Sequence, residues 1–451
     1  MAKPRVLPVI LAASMVLALV APWAHAQGRG RPLPRLIRDA EIETIIRSYA
    51  TPIFEAAGLD PTSVHVVLLQ DDTVNAFVAG GMNLFINVGL ITASENAGQI
   101  IGVIAHETGH IAGGHLARRL DEMRGKSLEQ MLALALGVGA AAASGEGGAA
   151  AAVVSAASTL QQASLSSFSR TQETSADQAG LALLDRTGQS ARPLLEFLRL
   201  LERKDKMSPQ PDLYMRTHPL TEDRIRAVEE HVARSPYSDV PEPAAFEEAH
   251  RRMKAKLIGF LQPLDQVLRD YPPSDGSLPA RYARAIAYWR GGQLPKSLET
   301  LQSLLDERPD DPYFNELMGQ ILFQSGRGAA ALPYYEKSVR LAPDQPQIRL
   351  GLAQAQVEIG DPALIKAAIP NLEQVLRAEP TNALAWRTLS IAYGRDGQLP
   401  MAALALAEAA QARGDRKEAR AQADRALRGL PEGSPAAIRA QDILNAAKPQ
   451  G

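Results

Sequence analysis

The chain has 451 residues, no cysteine, and 48 basic against 50 acidic residues, which gives a formal charge of −2. This length allows two or three domains with sizeable cores, and the composition excludes a chain that is disordered throughout. A near-neutral charge without a strong basic block argues against a nucleic-acid partner, and a chain without cysteine forms no disulfide.

The first 26 residues have the three parts of a secretory signal peptide. Lys3 and Arg5 precede an apolar run over residues 6–20, and Ala24-His25-Ala26 matches an A-x-A cleavage site. We therefore expect export to the periplasm and cleavage after Ala26. The alternative, an uncleaved membrane anchor, is disfavoured by the small residues that end the run.

Three short stretches are predicted to be strands of a small sheet. They cover residues 64–69, 74–79 and 83–88, and they are separated by turns at Asp71-Asp72 and Gly80-Gly81. The sheet precedes the helix that carries the main motif of the chain.

Residues 96–120 are predicted to form one buried helix that contains His106-Glu107-Thr108-Gly109-His110. Residues i and i+4 of a helix lie about 6 Å apart on nearly the same face, so His106 and His110 can hold one metal ion. Glu107 lies beside that face, where a general base can take a proton from metal-bound water. The alternative is a pair of satisfied core histidines, but burying two His and a Glu without partners costs several kcal/mol, and a bound divalent cation removes most of that cost.

Two apolar stretches follow, at residues 128–143 and 149–160, separated by a glycine-rich segment. Neither reaches the roughly 20 residues that span a bilayer. We expect a helical hairpin that packs inside the domain or covers the cleft as a mobile lid. Membrane insertion is the less favoured alternative, and peripheral contact with a membrane stays open.

A catalytic zinc normally has three protein ligands and one water, so a third ligand is needed. The best downstream candidate is Glu173, which is followed four residues later by Asp177 in a stretch with helical apolar spacing. Asp177 could orient a ligand or deliver a proton to the leaving group. The alternative for both residues is a solvated acidic helix face.

H-E-x-x-H followed by E-x-x-x-D resembles the gluzincin metallopeptidases related to HtpX and to the CAAX prenyl-protein endopeptidases, over roughly residues 35 to 235. The matching residues are His106, Glu107, His110, Glu173 and Asp177. The resemblance implies one Zn²⁺ per subunit held by the two histidines and the distal glutamate, water activation by Glu107, and proton donation by Asp177. It also implies an α+β zincin-like domain, mostly helical with a small sheet, in which an edge strand pairs with extended substrate. For any given strand, a purely structural role is the alternative.

His218 lies in a His-Pro segment comparable to one near the active site of these relatives. Pro219 disfavours helix at His218, so the imidazole is expected at the end of a loop. We hypothesise that His218 approaches the zinc as a displaceable fourth ligand that holds the enzyme idle. The alternative is a capping or surface histidine. The remaining histidines outside the leader are expected to be structural: His65, His115, His231 and His250.

Past residue 280, glycines and prolines recur with the 34-residue period of tetratricopeptide repeats. Gly292, Gly326 and Gly360 share this spacing, as do Pro309 and Pro343. The pattern predicts about four pairs of antiparallel helices plus a terminal helix, with an insertion in a turn near residues 362–364. Such an all-α solenoid has a groove that commonly holds peptides or partner proteins, and the alternative is a brace for the protease.

The expected domains are a signal peptide (1–26), a metallopeptidase domain (27–250), a connecting segment (251–279) and a repeat domain (280–451). An exported zinc protease joined to such repeats resembles the periplasmic β-barrel assembly-enhancing proteases. This resemblance implies unfolded or misassembled outer-membrane proteins as substrates, the barrel-assembly machinery as a partner, and a chaperone-like activity. The competing function is a non-enzymatic chaperone or scaffold with a structural or silent metal centre.

Overall fold

The structure is a computed structural model that describes residues 35–115, 168–207 and 213–446. The predicted signal peptide and the predicted hairpin at residues 128–160 lie outside the described residues. Within the described ranges, no helix is both long enough and apolar enough to cross a bilayer.

A four-stranded sheet lies at the start of the described chain. Its strands are β1 (Arg35–Ile37), β2 (His65–Gln70), β3 (Ala76–Ala79) and β4 (Asn83–Asn87), in the spatial order β1-β2-β4-β3. The β2 and β4 strands are parallel, and the other two pairs are antiparallel. The three predicted strands are confirmed, and β1 is an additional strand whose three residues are too few to show an alternating pattern. Strand β3 is an edge strand of this sheet, and all four of its residues are buried.

Eight helices of the described chain pack with the sheet around one hydrophobic core: α1 (Ala40–Ala56), α2 (Val88–Ala93), α3 (Ala97–Ala112), α4 (Arg170–Arg186), α5 (Arg192–Met207), α6 (Leu213–Thr217), α7 (Glu222–Arg234) and α8 (Ala244–Leu261). The motif helix α3 begins as predicted, because the side chain of Asn96 caps its first turn. The prediction that it continues to residue 120 is wrong. It ends before Gly113, and Gly114 adopts a positive φ of 61° that a continuing helix does not allow.

The repeat region consists of a short helix, α9 (Leu264–Asp270), followed by α10 (Leu278–Arg290), α11 (Leu294–Glu307), α12 (Pro312–Gln324), α13 (Gly328–Leu341), α14 (Pro346–Ile359), α15 (Pro362–Ala378), α16 (Ala383–Arg395), α17 (Leu399–Ala412), α18 (Arg416–Leu427) and α19 (Pro435–Ala446). The described helices from α10 onward form five successive pairs, one more than predicted, because α18 and α19 also pack together. The prediction of an insertion in a turn near residues 362–364 is wrong, because these residues begin α15 and the extra residues make that helix 17 residues long.

Helix α8 runs through the expected boundary at residue 250 and connects the two regions through buried charges. Lys256 lies 2.8 Å from Asp39 and 3.2 Å from Glu41, both near the start of α1. Arg252 lies 2.7 Å from Glu41, and the hydroxyl of Tyr282 on α10 donates to the same carboxylate at 2.7 Å. Since Glu41 is 1% exposed, this network fixes the first repeat against the sheet-bearing region.

Candidate metal centre

Four predicted site residues converge in the interior of the first region. Within the described ranges, His106, His110, Glu173 and His218 form a group in which one ligand atom from each lies within 4.8 Å of the others. Helix α3 supplies the two histidines of the motif, the first turn of α4 supplies Glu173, and His218 directly follows α6. All four are at most 1% exposed, so the group is closed to solvent.

Five distances between ligand atoms of this group, from 3.1 to 3.5 Å, are close to the spacing around a tetrahedral ion. The Nε2 atoms of His106 and His110 are 3.2 Å apart, and they lie 3.5 and 3.4 Å from the carboxylate oxygens of Glu173. The Nδ1 atom of His218 lies 3.1 Å from Glu173 Oε1 and 3.4 Å from His106 Nε2. A tetrahedral zinc with bonds of about 2.0–2.1 Å holds its ligand atoms about 3.3 Å apart.

The protonation states of His110 and Glu173 also suit a cation. Burial, with the repulsion of neighbouring imidazoles, lowers the pKa of His110 to about 3 despite its contact with Glu173. Burial opposes ionisation of Glu173, but the surrounding histidines outweigh it and hold the pKa of that carboxyl below its usual range. A neutral imidazole and an ionised carboxylate are the forms that bind metal. Three imidazole nitrogens that face one point cannot all be satisfied by hydrogen bonds, whereas one divalent cation satisfies them together.

Glu107 lies next to the group without being part of it. Its carboxylate is fully buried, and its Oε1 atom lies 3.3 Å from Nε2 of His218. Burial raises the pKa of Glu107, against the opposing effects of His218, His106 and the backbone of Val78 on β3. A carboxyl group with a raised pKa beside a metal-ligand cluster has the position and the basicity of a general base.

Asp177 contacts His106 on the side away from the group. Its Oδ1 atom lies 2.8 Å from Nδ1 of His106, and both of its oxygens accept hydrogen bonds from Arg224, at 2.6 and 2.8 Å. Burial raises the pKa of Asp177, but these hydrogen bonds outweigh burial and lower it to about 2. The geometry therefore favours the orienting role over the proton-donor role that the family resemblance implied, because this carboxylate carries no proton to give at neutral pH.

His218 occupies a buried position, in contrast to the surface alternative. Its backbone amide donates to the carbonyl of Tyr214, and the two rings stack with centroids 4.9 Å apart. One ring nitrogen faces the ligand group and the other faces Glu107. The imidazole thus lies between the general-base candidate and the histidines of α3.

Two residues around the group were not predicted from the sequence. His115, expected to be structural, places its Nδ1 atom 3.0 Å from Nδ1 of His110. Arg224 lies in the first turn of α7 and is 4% exposed. A cation in the first turn of a helix interacts unfavourably with the helix dipole. The position of Arg224 in the sequence of α7 therefore indicates that its charge has a partner outside this helix.

Comparison with known proteins defines the class of this chain. Residues 36–232 match Peptidase family M48, and residues 297–417 match the Cytochrome c-type biogenesis protein H TPR domain. The chain is therefore a metallopeptidase whose residues 36–232 are similar to that family and whose later helices are similar to tetratricopeptide-type repeats, and the predicted fold class is confirmed.

Two relatives match along most of the chain. The Beta-barrel assembly-enhancing protease of Yersinia pestis is 26% identical over 375 residues, which cover 80% of this chain and 74% of that protein. The Beta-barrel assembly-enhancing protease of Escherichia coli K12 is 27% identical over 339 residues, which cover 72% and 67%. Among solved structures, MamA from Desulfovibrio magneticus RS-1 aligns at 22% identity and a TM-score of 0.30, covering 38% of this chain and 95% of that one.

Proposed function

We propose that this protein is a zinc-dependent endopeptidase of the periplasm that cleaves unfolded or misassembled outer-membrane proteins. In this proposal, one zinc ion is held by His106, His110 and Glu173, and Glu107 is the general base. The convergence of one ligand atom from each of these residues within 4.8 Å, in a buried group of the region similar to family M48, is the observation that carries the proposal. The names and coverage of the two relatives support the substrate class and a contact with the barrel-assembly machinery.

The cellular location of the protein and the roles of its domains are part of the same proposal. The signal-peptide pattern of residues 1–26 supports export to the periplasm. We assign residues 27–250 to the peptidase, 251–279 to the connection and 280–451 to the repeats. The repeats would hold substrates or partners and could add a chaperone activity, since helix-pair arrays present extended binding surfaces.

The proposed chemistry divides between the ion and the side chains around it. When bound, zinc would polarise the scissile carbonyl and lower the pKa of a water molecule. Glu107 would take the proton of that water and return it to the departing amine, so that one residue acts as base and then as acid. Asp177 would hold His106 in the tautomer that leaves Nε2 free for the metal.

The buried position of His218 supports a resting form that does not cleave peptides. His218 would supply the fourth ligand through Nδ1, in the position that the attacking water needs. Its Nε2 atom lies 3.3 Å from Glu107, so the same ring would also keep the base from a water molecule. A purely structural zinc centre has no use for a buried glutamate beside it, so this arrangement favours a regulated enzyme over a silent scaffold.

The test compares the purified protein with its Glu107→Gln variant. Zinc content would be measured first, and then cleavage of a urea-unfolded outer-membrane barrel protein and of the same barrel folded in detergent. We expect both proteins to bind one zinc ion, and only the parent to cleave the unfolded chain, with a chelator abolishing cleavage. The folded barrel should resist.

The exposed Glu196→Gln change on α5 is the matched control and should cleave as the parent does. Hydrolysis by Glu107→Gln at the parent's rate would place the reaction at another site. A parent protein that binds no zinc would remove the basis of the proposal altogether.

A further inference from the structure

The guanidinium of Arg224 contacts three parts of the metal centre at once. It forms the paired hydrogen bonds to Asp177, and its Nη1 atom lies 2.7 Å from Oε2 of Glu173. The same Nη1 atom donates to the carbonyl of Pro219 at 3.0 Å and approaches that of His218 at 3.5 Å. One buried side chain therefore connects helix α4 to the backbone that presents His218.

The contacts on the α4 side reach the ligand histidines indirectly. A planar guanidinium bound through two nitrogens fixes the plane of the Asp177 carboxylate. That carboxylate lies 2.8 Å from Nδ1 of His106, so its orientation determines where Nε2 of the ring points. Arg224 thus supports His106 through one intermediate residue.

The contacts on the other side hold the segment that carries His218. The residue before it, Thr217, lies 3.3 Å from the side chain of Asn75, just ahead of β3. The backbone beyond it is held by Arg224 through the two carbonyls. Backbone carbonyls at this distance from a buried charge lose a charge-assisted hydrogen bond when the charge is removed, which costs more than the loss of a neutral one.

We propose that Arg224 is a positioning residue that clamps His218 in the fourth ligand position, and that release of the His218–Pro219 backbone from this guanidinium opens that position to water. The proposal rests on the metal site proposed above. Lysine at this position would keep the positive charge but could not bridge α4 and the two carbonyls, since it has one nitrogen in place of a three-nitrogen fork. Arg224→Lys therefore keeps the positive charge beside Asp177 and Glu173 but removes the contacts that hold the backbone of His218 and Pro219.

The experiment uses the full chain loaded with Co²⁺, whose visible absorption reports the number and type of its ligands. Spectra would be recorded for the parent, Arg224→Lys, His218→Ala and the double variant, together with the cobalt content of each. We expect one cobalt per chain throughout, and the same altered spectrum for Arg224→Lys, His218→Ala and the double variant. Arg226→Lys, at an exposed position of α7, is the matched control and should keep the parent's spectrum.

A second measurement needs no metal. In the metal-free protein, amide hydrogen exchange of residues 213–221 should become at least about tenfold faster in Arg224→Lys than in the parent, while exchange in α3 stays unchanged. Thermal unfolding would verify that each variant is folded.

The possible outcomes separate the clamp from the metal site. A parent protein that binds cobalt and cleaves peptides, together with an Arg224→Lys variant that keeps the parent's spectrum, would overturn the clamp alone. Exchange of residues 213–221 that stays at the parent's rate in metal-free Arg224→Lys would also overturn it, whatever the cobalt content of that variant. A parent that binds no cobalt would instead refute the proposed function.

Discussion

Gly109 of α3 lies directly against the backbone of Ala176 on α4. A Cβ atom at Gly109 would lie 2.6 Å from the carbonyl oxygen of Ala176 and 3.1 Å from its Cα atom. Real Cβ atoms do not approach backbone atoms this closely, so the two helices reach their separation only because this residue has no side chain. Glu173 is three residues before Ala176, and its distance from the motif histidines depends on the same approach.

Replacing Gly109 with alanine should therefore weaken metal binding. Alanine gains up to about 1 kcal/mol in helix propensity, but overpacking costs about 1–3 kcal/mol and pushes α4 away from α3. We expect an affinity for zinc at least about tenfold lower, measured by competition with a chromophoric chelator. Gly276→Ala, where a Cβ would meet nothing within 4 Å, is the control. Unchanged affinity in Gly109→Ala would show that the helices can separate without moving Glu173 from the site.

Replacing His218 with alanine should increase basal proteolysis. The variant keeps the three proposed ligands His106, His110 and Glu173, and it leaves the fourth position and Glu107 accessible to water. We expect about tenfold faster cleavage of an unfolded substrate with unchanged zinc stoichiometry. His65→Ala, at an exposed position of β2, should behave like the parent. A slower His218→Ala enzyme would mean that His218 assists the reaction.

Replacing Asp177 with asparagine distinguishes orientation from proton donation. Loss of the carboxylate beside Nδ1 of His106 should reduce zinc affinity about 10–100-fold, as for other carboxylates that support a ligand histidine. Once zinc is saturating, kcat should recover substantially. A fall in kcat with unchanged zinc affinity is the result that the proton-donor role requires. The exposed Asp223→Asn change provides the comparison.

Replacing Glu41 with glutamine should destabilise the repeats as well as the peptidase. The change leaves Lys256 and Arg252 buried with one carboxylate fewer, which costs roughly 3 kcal/mol. Trp289 and Trp386 both lie in the repeats, so their fluorescence reports unfolding at a distance from the mutated helix. We expect their unfolding midpoint in urea to fall. Glu55→Gln, at an exposed position of the same helix α1, should leave it unchanged.

The stability of the protein should depend on pH through Glu242. Burial, with the charge of nearby Glu247, raises the pKa of Glu242 from 4.5 to about 7. The folded state then binds the proton more tightly than the unfolded state, so stability falls as pH rises from about 4.5 to above 7. Glu242→Gln should reduce this pH-dependent loss of folding free energy by roughly 1 kcal/mol. The effect is smaller than the full pKa shift implies, because water still screens part of the side chain. Urea unfolding at pH 5 and pH 8 measures the difference, and equal pH dependence in parent and variant would contradict it.

The sequence predicted the elements whose periodicity or spacing is local. The i, i+4 spacing of His106 and His110 defines a shared face on any helix, and the 34-residue glycine period defines stacked helix pairs whatever their other residues. Two successive glycines, Gly113 and Gly114, favour helix termination at the end of α3, whereas the apolar residues beyond them favour a longer helix.

Contacts between distant segments were not predictable in the same way. Glu41 and Lys256 look like ordinary surface charges of amphipathic helices, but in the fold they form an ion pair and are only 1% and 2% exposed. Arg224 and Asp177 are 47 residues apart, and no local pattern relates an arginine in one helix to a carboxylate in another. The fold brings such pairs together, so their roles follow from coordinates alone.

The complete burial of Glu107 and His218 has a consequence for how much of the enzyme is competent at any moment. If opening of this centre costs about 3 kcal/mol, fewer than one molecule in a hundred is open, and the apparent affinity for every substrate is weakened by the same factor. A partner that binds only the open form could then accelerate proteolysis about a hundredfold without touching a reacting atom. The amount of this protein in a cell would set the maximum rate of substrate degradation, while the population of the open form would set the actual rate.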